Sequence, residues 1–75
     1  MAELLIHKLT VEARRRAKRS GLSRRELARR LGTSVPQLYR LLDPANTRKS
    51  LGQLVGLLHL LDCDVRVVVS PRRAA

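Results

Sequence analysis

Residues 23–42 read SRRELARRLGTSVPQLYRLL, and this stretch decides the fold. Ser23, with Glu26 three positions later, is a capping-box pattern, so a helix begins at Arg24. Leu27, Ala28 and Leu31 follow at helical spacing. Gly32 stops the helix, because it takes the left-handed conformation without a Cβ penalty. Ser34 caps a further helix, and Pro36 sits in its first turn, where a missing N–H costs nothing. Leu38, Leu41 and Leu42 form its inner face. Asp43-Pro44 ends it, since the residue before proline is pushed out of the α region. Two short helices about a glycine turn describe a helix-turn-helix. The two helices cross closely and need a small residue where they touch, which Ala28 supplies. Leu27, Leu31, Leu38 and Leu41 point inward on either side of Gly32. Thr33 stands where an aliphatic residue is usual, and its methyl can still pack.

Working outward, Thr10 is expected to cap a helix over about Val11–Ser20, closed by Gly21. Its buried stripe is narrow: Leu9, Ala13 and Ala17. Met1–Lys8 reads equally as more helix or as a short strand, because Leu4, Leu5 and Ile6 suit both. Downstream, Ala45–Lys49 is a polar loop, and Ser50 caps a fourth helix running to about Leu61. Leu51, Leu54, Val55, Leu58 and Leu61 are expected to face in. Leu57 and Leu60 widen that stripe beyond what a one-sided helix needs. Val65–Val69 is dense in β-branched residues and closed by Pro71, which is a strand by propensity. The expected organisation is an extension over 1–9, a helix-turn-helix unit over 10–62, a strand over 63–70 and a basic tail over 71–75. The expected fold class is mainly α, a compact bundle with a short C-terminal strand.

The chain has 75 residues, enough for one small domain, and a formal net charge of +10. That excess implies a polyanionic partner. It is concentrated: between residues 10 and 31 stand nine basic residues against Glu12 and Glu26. Between 50 and 69, Arg66 is the only basic residue, against Asp62 and Asp64. A basic N-terminal half and an apolar C-terminal half suggest one face for a polyanion and another for packing or a partner. One cysteine, Cys63, cannot make a disulfide framework, and it reads as a buried small hydrophobe. His7, His59 and Cys63 are too few for a zinc site. No apolar run reaches the ~18 residues of a membrane helix, and MAELLIHKL lacks a cleavage pattern, so a cytoplasmic protein is expected. There is no Gly-rich phosphate loop, no nucleophile with a base and no paired carboxylates, so neither an enzyme nor a cofactor is expected.

The segments LSRRELARRLGTSVPQLYRLL (22–42) and SLGQLVGLLHLLD (50–62) resemble the Cro and phage-repressor (XRE-type) helix-turn-helix family, particularly its short antitoxin-like members. The resemblance covers about Leu9–Asp62. It implies an all-α core of four or five helices with the third in the DNA major groove. It also implies DNA contacts from Arg24, Ser34, Val35, Pro36 and Gln37, with Arg40 one turn on. Val35 and Pro36 are apolar, so they would meet a thymine methyl or read shape.

The residues themselves point to the same surface. Gln37, Tyr39 and Arg40 are left facing outward or sideways on the third helix. Gln37 can pair with adenine, and Arg40 can fork onto guanine or touch phosphate alone. Tyr39, the sole aromatic, either contacts DNA through its hydroxyl or half-buries its ring against the turn. Arg24 opposes the dipole at a helix start, which suggests a phosphate or base contact. Arg48, Lys49 and Ser50 stand where free amides open the fourth helix, and suit a phosphate. The runs Arg14–Arg19 and Arg25/Arg29 read mainly as solvated faces.

A lone strand leaves its ladder hydrogen bonds unmade. A homodimer is therefore expected, joined by Leu57, Leu60, Leu61, Val65, Val67, Val68 and Val69. The strand could instead pair with Leu4–Ile6 or with a cognate toxin. A dimer would offer two recognition helices to palindromic half-sites roughly 34 Å apart. The function expected is a sequence-specific transcriptional regulator, with antitoxin activity implied by the resemblance. The alternatives are a toxin-neutralising protein module and a nonspecific nucleic-acid-binding protein.

Overall fold

The computed structural model describes residues 2–66 and Pro71. Four helices follow one another: α1 (Ala2–Ser20), α2 (Arg24–Leu31), α3 (Val35–Leu41) and α4 (Leu51–Leu60). The mainly helical reading holds. α1 packs on α4, and α2 packs on both α3 and α4. No described helix is long and apolar enough to cross a membrane.

The three serine caps form as their spacing dictates. Ser23, Ser34 and Ser50 accept from the N–H groups of Glu26, Gln37 and Gln53 at 3.1, 3.2 and 3.2 Å. Each satisfies one amide that a helix start leaves unpaired. The reciprocal half of the capping box at Ser23 is not made. The Glu26 carboxylate is taken up by Arg29 and Arg30 instead. Gly32 ends α2 at φ 77°, and the Thr33 N–H closes back to the Ala28 carbonyl at 2.9 Å. That left-handed cap reverses the chain and sets α3 against α2.

Of the two readings of residues 2–8, helix is the one the structure takes, and one expectation about α1 is corrected: Thr10 is not a cap. Thr10 lies on the buried stripe with Ala13 and Ala17, fully shielded from solvent. Its hydroxyl donates to the Ile6 carbonyl at 2.6 Å, so its polar group is satisfied inside a continuing helix. Gly21, at φ 73°, does follow the end of α1.

α4 buries most of the expected stripe, but Leu57 takes the place expected of Leu51. Leu54, Leu57 and Leu58 are fully buried and Leu61 nearly so, while Leu51 is 40% exposed. The cause is that α4 is flanked by α1 on one side and α2 on another, so its buried arc is wide within a single chain. Leu57 is thus fully enclosed by its own chain, and Leu61 nearly so. Leu60, Cys63 and Val65 are half-buried and pack against the same core. The expected strand finds no support among the described residues, since 63–66 carry no regular structure. Val67, Val68 and Val69, and most of the 71–75 tail, lie outside the described residues.

Truncating Leu57 to alanine should cost about 2–5 kcal/mol in urea denaturation, as a buried leucine does. Leu51→Ala, at an exposed site, should cost under about 1 kcal/mol. Equal losses would mean that α4 buries a different arc.

Candidate nucleic-acid interface

α3 buries Leu38 and Leu41 and exposes Pro36, Gln37, Tyr39 and Arg40. Val35 is half-buried against the core, so only part of it is available to a ligand. Tyr39 is 58% exposed, which removes the half-buried-ring reading.

The outward face of α3 runs between two basic clefts. One, of about 230 Å³, is bordered by Gln37, Arg40, Arg48, Lys49, Ser50 and Gln53. It brings together residues from α3 and the entry to α4 that the sequence reading singled out separately. The other, of about 270 Å³, is bordered by Arg14, Arg24 and Tyr39 among others. Arg14 also borders an adjoining cleft with Arg15, Lys18 and Arg24. Arg24 and Tyr39 are thus joined by α1 side chains that the sequence reading left as a solvated face.

Ion pairing sorts the arginines. Glu12 binds Arg15 at 2.9 Å and Arg16 at 2.8 Å, and Glu26 binds Arg29 and Arg30. The Arg29 and Arg30 guanidiniums hold the Glu26 carboxyl down at about 2. A depressed carboxyl contributes stability above its ordinary value of 4.5, and that contribution is lost as pH falls toward 2. Arg14, Lys18, Arg24, Arg40 and Arg48 carry no ion pair among the described residues. Arg14, Arg24, Arg40 and Arg48 border the two clefts beside α3, and Lys18 borders the adjoining one. The sign of that sorting is in the sequence, because Glu12 precedes Arg16 by four residues as Glu26 precedes Arg30.

The loop from α3 to α4 is held by its own polar groups. Asn46 donates through Nδ2 to the Arg40 carbonyl at 3.3 Å and accepts the Arg48 N–H at 3.1 Å. His7 Nδ1 lies 3.2 Å from the Pro44 carbonyl. Asn46 was missed by the sequence reading, and a lone asparagine in a polar loop gives no signal beyond turn propensity. Lys49 behaves differently from its neighbours. Its ammonium donates to Leu41 O and Asp43 O, each at 2.7 Å, and to Thr10 Oγ1 at 3.0 Å. All three ammonium protons are spent inside the protein. Burial lowers the Lys49 pKa, and the charge of Asp43 opposes that shift.

The family model of the Cro/C1-type HTH DNA-binding domain matches residues 14–66. The chain belongs to that family. The match spans every element just described from the middle of α1 onward, including both clefts beside α3. Searches of curated proteins and of solved structures returned no match. Membership of a Cro/C1-type family makes this a DNA-binding domain, and α3 is the second helix of its helix-turn-helix.

Lys49→Met, which keeps the apolar stem, should lower stability by about 1.5–3 kcal/mol by orphaning acceptors of a charged donor. It should leave the slope of log affinity against log salt unchanged. Arg48→Ala should do the opposite, keeping stability and lowering that slope by about one. A lowered slope with unchanged stability for Lys49→Met would put its ammonium on a phosphate.

Proposed function

We propose that this chain is a sequence-specific transcriptional regulator that seats α3 in the major groove of its operator. The observation that carries this is the row of Gln37 and Arg40 on the exposed face of α3, flanked by Arg14 and Arg24 on one side and Arg48 on the other, none of them ion-paired among the described residues. Gln37 offers both an acceptor and a donor to adenine, and Arg40 forks onto guanine O6 and N7. Pro36 and the exposed part of Val35 meet a thymine methyl. Arg24 and Tyr39 on one flank, and Arg48 on the other, take backbone phosphates. Ser34 and Ser50 accept helix amides but keep a hydroxyl proton to donate to phosphate. Lys49 supports this surface by shaping the loop.

The regulator acts in the cytoplasm as a repressor of its own operon. It binds a palindromic operator as a homodimer, joined through the chain from Val65 onward. The resemblance to antitoxin-like members adds neutralisation of a cognate toxin to this reading.

A duplex selected from a random pool should bind far more tightly than bulk random duplex at matched salt, measured by fluorescence anisotropy. Arg40→Ala should lose about 1–3 kcal/mol of that discrimination. Equal binding of selected and random duplex would sink the specific-regulator reading. Light scattering should give a dimer mass, and a monomer at micromolar concentration would remove the palindrome.

A further inference from the structure

At the far end of α4 from Ser50 lies a groove of about 400 Å³ that shares no residue with α3 or its flanking clefts. Leu60 and Leu61, with Leu22 from the turn after α1, give it an apolar lining. Arg16 and Arg19 of α1 and Arg30 of α2 border it. Asp62 is the one acidic residue on its border.

Two of these arginines are held by carboxylates one turn earlier on their own helices. Arg16 and Arg30 each donate through Nε to a glutamate, Glu12 at 2.8 Å and Glu26 at 2.9 Å. Their Nη groups have no partner among the described residues. Each guanidinium is therefore oriented by a carboxylate that leaves its outer edge free to bind another acid. Each glutamate is shared with a second arginine, so each cluster keeps a net positive charge. Arg19 carries no ion pair among the described residues.

We propose that this groove docks an acidic peptide segment of a partner protein, with carboxylates on the guanidinium edges and an apolar side chain against the leucines. Charge complementarity chooses this occupant. A second copy is a poor source of it, because the chain's six acidic residues are dispersed and Glu12 and Glu26 are already committed. A DNA backbone supplies the negative charge but gains nothing from an apolar lining. The peptide site and the α3 surface are separate, so both can be filled at once.

The probe is a labelled ten-residue peptide of alternating Glu and Leu, titrated against the full chain by fluorescence anisotropy. An alternating Glu and Ser peptide is the control of equal charge. The Glu–Leu peptide should bind at least tenfold more tightly than the control and stay bound under saturating duplex. Arg19→Glu, at an exposed position that does not threaten the fold, should weaken it at least tenfold, and Arg40→Ala less than twofold. Equal binding of the two peptides would overturn the proposal, as would displacement by duplex or an equal loss from Arg40→Ala. The comparison of peptides and variants does not depend on α3 binding DNA.

Discussion

One ammonium ties the separate parts of this domain together. Lys49 Nζ reaches the hydroxyl of Thr10 in α1, the Leu41 carbonyl at the end of α3 and the Asp43 carbonyl just beyond it. A cation at a helix C-terminus meets carbonyls that have no partner within the helix. Here it also bridges to a helix 39 positions away in sequence. Thr10 is buried and would otherwise carry an oxygen with spare acceptor capacity into the core. The same contact determines the path from α3 into α4, and so decides that Arg48 and Ser50 stand beside Gln37 and Arg40. A local polar knot thus sets the geometry of a surface made from two separate segments.

Charge is organised by pairing as much as by position. Two glutamates engage four arginines, while Arg14, Arg24, Arg40 and Arg48, which border the clefts beside α3, carry no ion pair among the described residues. The basic side chains therefore include one set that braces α1 and α2 and another that borders the clefts beside α3. Exposed pairs of this kind add little stability, because water screens them and ordering two long side chains costs entropy. Their effect is to fix where guanidiniums point, which matters more for binding than for folding. The nearly neutral C-terminal half has the complementary role of filling the core through Leu54, Leu57 and Leu58.

The heart of the fold was legible because its signals are local. A serine cap needs only the amide three residues on, and a left-handed stop needs only a glycine, so Ser23, Gly32, Ser34 and Ser50 could be read in place. Thr10 was misread for the converse reason. It has the chemistry of a cap, and only its contact with Lys49 and the helix preceding it reveal a core role. The buried arc of α4 was misjudged because it depends on which helices flank α4, and spacing along one helix cannot show that. Within the site, Gln37, Arg40, Arg48 and Ser50 were found from side-chain chemistry and do share a cleft. Arg14 and Lys18 were passed over because their place beside Arg24 is a tertiary fact.

The central claim is that α3 and the loop entering α4 form the DNA-binding face. Backbone amide shifts of the labelled chain, followed while a duplex selected from a random pool is added, test it most directly. The account predicts the largest changes over Ser34–Arg40 and Arg48–Ser50, with Leu57–Leu61 nearly still. Largest changes at the α4 C-terminus and the Arg16–Arg19 segment, with α3 unmoved, would contradict it.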